Sequence, residues 1–259
     1  MWWQVYWFFK YQFIAVNQHS IHSPFLFRFV NEVIYSNKFK AELKQIHKEF
    51  KAICKSSKML TISDFGAGSG VNTSKVRSVG DIAQSVSKAR KYRNLMFRIM
   101  RFKQPKIAVE LGSSVGISGL YLAKGSPQSR LYSLEGCHET AAFAKTLWAK
   151  NNLLNIDSVV GNFDETLPQL LLNLQGVDLV YIDGNHRFEP TLRYFECLLP
   201  KMSEEGILIF DDIYWSEEMT QAWEKIKAHP AAKQTVDLYY FGIVFLDKRL
   251  AKQDFVVRY

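Results

Sequence analysis

Glu110, Glu135, Asp183, Asp211 and Asp212 each stand at the end of a short apolar run, where a strand can present an acid to a ligand. The first of these runs continues into glycines. Residues 107–118 read I-A-V-E-L-G-S-S-V-G-I-S, and Gly119 follows. Glycines let a backbone approach a bound molecule closely, and unpaired N–H groups at a helix start attract an anionic group. A second run, R-L-Y-S-L, then ends at Glu135, at the distance where an acid would meet a ribose. A nucleotide-like ligand is the chemistry this spacing suits.

A second glycine loop competes with the first. Asp64-Phe-Gly-Ala-Gly-Ser-Gly70 fits an acid-x-G-x-G-x-G pattern more literally. It is followed by Asn72, Thr73, Ser74 and Lys75, with no adjacent helix and no strand ending in an acid. Context therefore assigns the cofactor to the loop at 112–118. The loop at 64–70 is left as an ordinary connection or as a lid over substrate.

Asp183 closes V-D-L-V-Y-I-D, and Asp211-Asp212 closes G-I-L-I-F-D-D. Three carboxylates in one confined space repel unless a cation neutralises them or protons are retained. Hard oxygen donors favour Mg²⁺, Mn²⁺ or Ca²⁺ over zinc, and Asp183, Asp211 and Asp212 are the expected ligands. Acids at strand ends that merely cap loops are the plainer alternative. His186 lies three residues beyond Asp183. An imidazole that titrates near neutrality can take a hydroxyl proton, or it can serve as a structural partner of Asp183.

The elements that must position these groups follow from the periodicity. Strands are expected at 107–111, 130–134, 156–160, 177–182 and 206–210, with helices near 117–124, 138–151, 164–174, 188–199 and 216–228. Such alternation builds an α/β fold with a parallel sheet covered on both faces. Two last strands, about 235–240 and 243–246, are too close for a helical crossover and must form an antiparallel hairpin. Residues 1–56 read as helices, with Ser23-Pro24 as a helix start, and 56–78 as a long loop. A further helix is expected from about Tyr92 to Phe102.

Composition bounds the rest. With 259 residues, 47% apolar and 22% charged, the chain is an ordinary globular protein and not a disordered one. Its cysteines, Cys54, Cys137 and Cys197, have no C-x-x-C spacing, which argues against a disulfide framework or a zinc site. Residues 1–106 hold 19 Lys and Arg against 5 Asp and Glu, and the remainder holds 14 against 20. That asymmetry suits an anionic partner such as nucleic acid, or simply solvated lysine-rich helix faces. Residues 1–16 carry eight aromatics and one charge, Lys10, without the pattern of a signal peptide. The run is also shorter than the ~20 residues that span a bilayer. It is expected to pack on its own domain or on a second copy of the chain, in a soluble cytoplasmic protein.

E-L-G-x-x-x-G-x-S followed by a strand ending in Glu resembles the cofactor motif of class I S-adenosylmethionine-dependent methyltransferases. The nearest likeness is to the metal-dependent catechol and caffeoyl-CoA O-methyltransferases and the macrocin-type sugar O-methyltransferases, over about residues 90–247. The resemblance implies a Rossmann-like, seven-stranded, mostly parallel sheet with the C-terminal hairpin. It implies a methyltransferase domain at 90–259 behind a helical N-terminal extension, 1–89, that acts as lid, substrate region or dimer surface. Gly112, Ser113, Gly116 and Ser118 would hold the methionine end of S-adenosylmethionine, with Glu110 supporting the loop. Glu135 would accept from the ribose hydroxyls, and Gly136 would pass under the adenine. Asn162 and Phe163 occupy the family's adenine-contact position, although Gly-Asn is also ordinary turn chemistry. His186 falls where the family places its general base, a lysine in the catechol type. Asp211-Asp212, where catechol enzymes have Asp-Asn, is closer to the sugar methyltransferases.

The implied reaction is methyl transfer to a small hydroxylated acceptor, with Mg²⁺ or another hard cation on the acceptor oxygen. Tyr214, Trp215 and Arg187 are candidate pocket walls. The rival readings are a metal-independent methyltransferase acting on RNA or protein, and a non-catalytic S-adenosylmethionine-binding protein.

Overall fold

β-branched runs become strands and amphipathic stretches become helices in the computed structural model, which describes residues 2–62 and 75–259. The loop at 64–70 lies outside the described residues. The chain begins with α1 (Trp2–Ile14), α2 (Pro24–Phe29) and α3 (Lys40–Ile53), then β1 (Met59–Thr61) and β2 (Val76–Ser78). Next come α4 (Val79–Val86), α5 (Arg90–Lys103), β3 (Ile107–Leu111), α6 (Ile117–Gly125), β4 (Arg130–Glu135) and α7 (His138–Lys150). β5 (Ile156–Val160), α8 (Phe163–Leu172), β6 (Val177–Ile182), α9 (Phe188–Leu198) and β7 (Met202–Asp211) follow. The chain closes with α10 (Glu217–Ala228), β8 (Gln234–Asp237), β9 (Phe241–Phe245) and β10 (Gln253–Val256). Among the described residues no helix is long and apolar enough to cross a membrane.

The chain divides into two compact units. The first, residues 36–166, carries the glycine loop. In it β3, β4 and β5 pair in parallel, so Glu110 lies opposite Ser133 and Glu135 opposite Val160. α5 packs on α6, and Leu95, Ile99, Leu111, Leu120, Leu131 and Leu134 are fully buried. β1 and β2 form an antiparallel ladder from Met59↔Ser78 to Thr61↔Val76 inside the stretch expected to be loop. Three-residue strands are too short for a period-2 pattern to reveal them.

The second unit joins residues 1–35 to 167–259 and carries the strand-end aspartates. β6 and β7 are parallel, and β9 runs antiparallel to both β7 and β8. β10 adds in parallel beside β8, with Gln253 opposite Gln234. The sheet strands, from β3 onward, thus number eight among the described residues, one more than expected. The hairpin turn also sits earlier than expected. Gly242 lies inside β9, where a Cβ would come 2.7 Å from the fully buried Trp223, and Leu238 to Tyr240 make the turn.

This division differs from the expected boundary at residue 89, and the hydrogen bonds of α1 explain why. The Tyr11 hydroxyl donates to the Val257 carbonyl at 2.7 Å, and the Tyr239 hydroxyl donates to the Gln4 carbonyl at 2.8 Å. Gln4 Nε2 in turn donates to the Trp215 carbonyl at 3.0 Å. The first helix is therefore part of the unit formed by the end of the chain.

Candidate functional site

The glycine loop is built from left-handed backbone. Gly112 and Gly116 have φ of 97° and 83°, and Ser114 between them has φ of 45°. Glycine tolerates this region freely, whereas a serine there is strained and must be held. Glu135 does the holding. Its carboxylate accepts from the Ser114 N–H at 2.6 Å and from the Cys137 N–H at 2.9 Å. The acid expected to meet a ribose thus also ties the loop to the end of β4. A carboxylate has about four acceptor positions, so both tasks are compatible.

Two further residues pack against the surrounding helices. A Cβ on Gly116 would stand 2.8 Å from Ala144 Cβ and 2.9 Å from Trp148 Nε1, so this glycine is required for contact with α7. Trp148 Nε1 donates to the Gly116 carbonyl at 2.9 Å and locks that contact. Glu110 is fully buried, accepts from the Ser133 hydroxyl and lies against α6 at Gly119. Ser113 is 2% exposed, and its hydroxyl has no hydrogen-bond partner. A buried orphan hydroxyl beside two left-handed glycines fits a polar ligand such as the methionine end of S-adenosylmethionine. Ser118 is half-buried in the first turn of α6, and Gly136 is half-buried directly after β4.

Asn162 caps α8. Its Oδ1 accepts from the Asp164 N–H at 3.1 Å, while its carbonyl receives the Glu165 and Thr166 N–H groups. Turn chemistry is therefore what the structure displays at Gly161-Asn162, and Gly161 has φ of 143°. Phe163 is half-buried and opens the helix.

In the other unit, one phenol joins two of the expected acids. The Tyr181 hydroxyl stands 3.0 Å from Asp211 Oδ2 and 3.2 Å from Asp183 Oδ2. Period-2 geometry puts Tyr181 and Asp183 on one face of β6, a signal present in the sequence. Asp211 is fully buried, and its Oδ1 accepts from the Asp212 N–H at 2.8 Å. Asp212 itself has φ of 56° and is half-buried. On the outer side of the pair, His186 Nε2 lies 3.4 Å from Asp183 Oδ1. The result is a line running His186, Asp183, Tyr181, Asp211.

This arrangement differs from the expected metal centre. Among the described residues no three His, Cys, Asp or Glu side chains are grouped so as to hold a metal ion. Asp183 and Asp211 converge on a hydroxyl, and Asp212 meets Asp211 through its backbone N–H.

The same unit contains a cavity of about 530 Å³ lined by Trp3, Trp7, Phe188, Glu217, Thr220 and Glu224. Phe188 is two residues beyond His186. Trp3 and Trp7 come from α1, four residues apart and hence on one helix face with Tyr11. Trp3 Nε1 donates to the Thr220 hydroxyl at 3.1 Å, whereas Trp7 Nε1 is buried without a partner. Trp7 stacks on Tyr214 at 4.7 Å. Tyr214, expected as a pocket wall, is buried behind that ring and donates to the buried Asp237. Burial pushes the Asp237 carboxyl from 3.8 up to about 6, opposed in part by the Tyr214 and Tyr239 hydrogen bonds. Burial and the Asp237 charge together push the Tyr214 hydroxyl up. Trp215 is 39% exposed.

Residues 109–213 match a family model described as a methyltransferase domain. They run from the glycine loop through both aspartate-bearing strands. Over this stretch the chain is similar to methyltransferase domains. A probable O-methyltransferase of Mycobacterium tuberculosis is 29% identical to the chain over 100 residues, which are 36% of this chain and 43% of that protein. The chain spans less than half the length of the curated relatives it matches. Among solved structures, the domain is similar to an O-methyltransferase from Bacillus cereus in complex with S-adenosylhomocysteine. That likeness has TM-score 0.55 and 16% identity and covers 84% of this chain and 94% of that one. The Streptomyces achromogenes O-methyltransferase of tomaymycin synthesis, in complex with S-adenosylmethionine, gives TM-score 0.55 at 15% identity. It covers 90% of this chain and 99% of its own. These likenesses identify the fold of the domain.

Proposed function

We propose that the protein is an S-adenosylmethionine-dependent O-methyltransferase acting on a small hydroxylated acceptor. The observation that carries the reading is the His186–Asp183 pair, 3.4 Å apart on the loop after β6. When bound, S-adenosylmethionine supplies an electrophilic methyl group, and S-adenosylhomocysteine leaves as the acceptor oxygen gains it. Ser113 donates its orphan hydroxyl to the cofactor, and Glu135 accepts from the ribose while keeping Ser114 and Cys137 in place. Gly112, Gly116, Ser118 and Gly136 shape the cradle, and Asn162 and Phe163 border the adenine.

His186 takes the acceptor proton. Asp183 stabilises the imidazolium that results, and Tyr181 with Asp211 holds Asp183 in position. The cavity beside Phe188, walled by Trp3 and Trp7, suits an acceptor with a flat apolar body and an oxygen that receives Trp7 Nε1–H. No step is routed through a divalent cation.

Calorimetry with S-adenosylhomocysteine tests the cofactor half, with Glu135→Ala expected to weaken binding by a hundredfold or so through two lost ribose hydrogen bonds. His186→Gln should lower kcat by roughly 10²- to 10⁴-fold with KM little changed. Turnover unaffected by that change would remove His186 as the base. Turnover abolished by EDTA and restored by Mg²⁺ would restore the expected metal to Asp183, Asp211 and Asp212.

A further inference from the structure

The unit of residues 36–166 contains a cationic cluster for which methyl transfer has no use. α5 begins with Arg90, Lys91 and Arg93, has no acid in its first turn, and receives no side-chain cap from Ala89. Three cations at a helix N-terminus oppose the helix dipole. Arg93 is only 5% exposed. Its guanidinium lies 3.8 Å from the centre of the Phe50 ring and donates to the Lys88 carbonyl, while its Nε has no hydrogen-bond partner. The fully buried Tyr121 hydroxyl of α6 lies in the field of the same guanidinium and of Arg90.

α3 adds to the cluster. His47 Nδ1 is buried without a partner, and burial together with Arg90, Arg93 and Lys51 pushes the His47 pKa down. Among the described residues no acid forms an ion pair with Arg90, Arg93 or Lys51. α5 and α6 contain no Asp or Glu. Among the described residues Glu42 and Glu49 of α3 form no ion pair with Arg90, Arg93 or Lys51, and Asp81 of α4 is engaged by Ser78. A buried guanidinium surrounded by further cations is costly unless an anion compensates it.

We propose that the junction of α3 and α5 binds the terminal phosphate of a small phosphorylated molecule, with Arg93 at its base and Arg90, Lys51 and His47 at its mouth. The start of α5 offers backbone N–H groups to the same oxygens. Recession of Arg93 selects the chemistry. A terminal phosphate can reach a guanidinium that is nine-tenths covered, whereas the bulky diester backbone of a nucleic acid meets only the exposed Arg90 and Lys51.

Isothermal titration of the full chain with pyrophosphate, at constant ionic strength, tests the site. Saturable binding is expected. The double variant Lys51→Gln/Arg90→Gln changes two exposed side chains, so its melting temperature without ligand should match the native one while its affinity falls roughly tenfold or more. Arg93→Gln should abolish binding, with circular dichroism reporting whether it folds; if it does not, the double variant decides alone. Unchanged affinity in the double variant means an adventitious ion only and overturns the proposal. So does loss of pyrophosphate binding in the presence of S-adenosylhomocysteine, which would place the anion in the glycine loop. Tight binding of single-stranded RNA without binding of pyrophosphate would assign the patch to a polymer and overturn it as well.

Discussion

The two units place acids at strand ends in the same way and then use them differently. In the unit of residues 36–166, Glu135 receives backbone N–H groups and fixes the loop, whereas Glu110 receives a serine hydroxyl and ties β3 to β4. In the other unit, the Tyr181 hydroxyl lies between Asp183 and Asp211 and the Tyr214 hydroxyl donates to Asp237, while Asp211 and Asp237 also accept the Asp212 and Tyr239 N–H groups. A strand-end acid is thus a position and not a role. The partner decides the role: the Ser114 amide ties Glu135 to its loop, and the Tyr181 phenol links Asp183 to Asp211. Both units also force non-glycine residues into left-handed backbone beside these acids. Ser114 is the example in one, and Asn185, Asp212 and Tyr239 in the other.

The contrast can be broken at several points. The largest effect is expected from Gly116→Ala. Left-handed backbone costs a non-glycine residue about 1–2 kcal/mol, and forcing a Cβ against Ala144 and Trp148 adds a similar amount. Chemical denaturation should show a loss of about 3 kcal/mol. A loss below about 1 kcal/mol would mean that the loop's geometry is not set by α7. Tyr181→Phe comes next, leaving the buried Asp211 short of a donor at a cost of about 2 kcal/mol by the same measurement. If the phenol only fills space, stability will hardly move.

Asn162→Ala should cost about 1 kcal/mol through the lost cap on α8, and Asn162→Ser should restore most of it. Weaker binding of S-adenosylhomocysteine by both variants alike would show that Asn162 has an adenine role besides capping. The smallest effect is one of pH. Because the Asp237 pKa is raised on folding, the folded chain binds more protons between about pH 4 and about pH 6. Stability from this site is therefore fully present at low pH and is lost as pH rises through that window. Asp237→Asn should flatten that fall in melting temperature measured from pH 4 to pH 7.

How much was readable in advance depended on whether a feature was local. β3 to β7 fall close to their expected ranges because buried parallel strands are continuous apolar runs bounded by turns. The turn at Gly161-Asn162 was also visible in the residue order. Tyr181 was passed over as one apolar-run residue among several, although its period-2 relation to Asp183 was available. α4 and the β1–β2 ladder were missed because eight and three residues carry too little periodicity. β10 was missed because four residues gain a strand's identity only by pairing with β8.

The sequence by itself determined which chemistry was on offer: acids at strand ends, glycines before a helix, a histidine three residues past an aspartate, and a basic front half. Each of these depends on spacing along one chain, and spacing is a local quantity. Tertiary structure decided which group meets which. It set Gly116 against α7, set a phenol between two aspartates expected to bracket a cation, and hooked α1 onto the end of the chain. It also gathered Arg93 and Arg90 of α5 with Lys51 and His47 of α3, which form no ion pair among the described residues. Those outcomes depend on contacts between residues far apart in the chain, where burial and unmet hydrogen bonds decide the pairing.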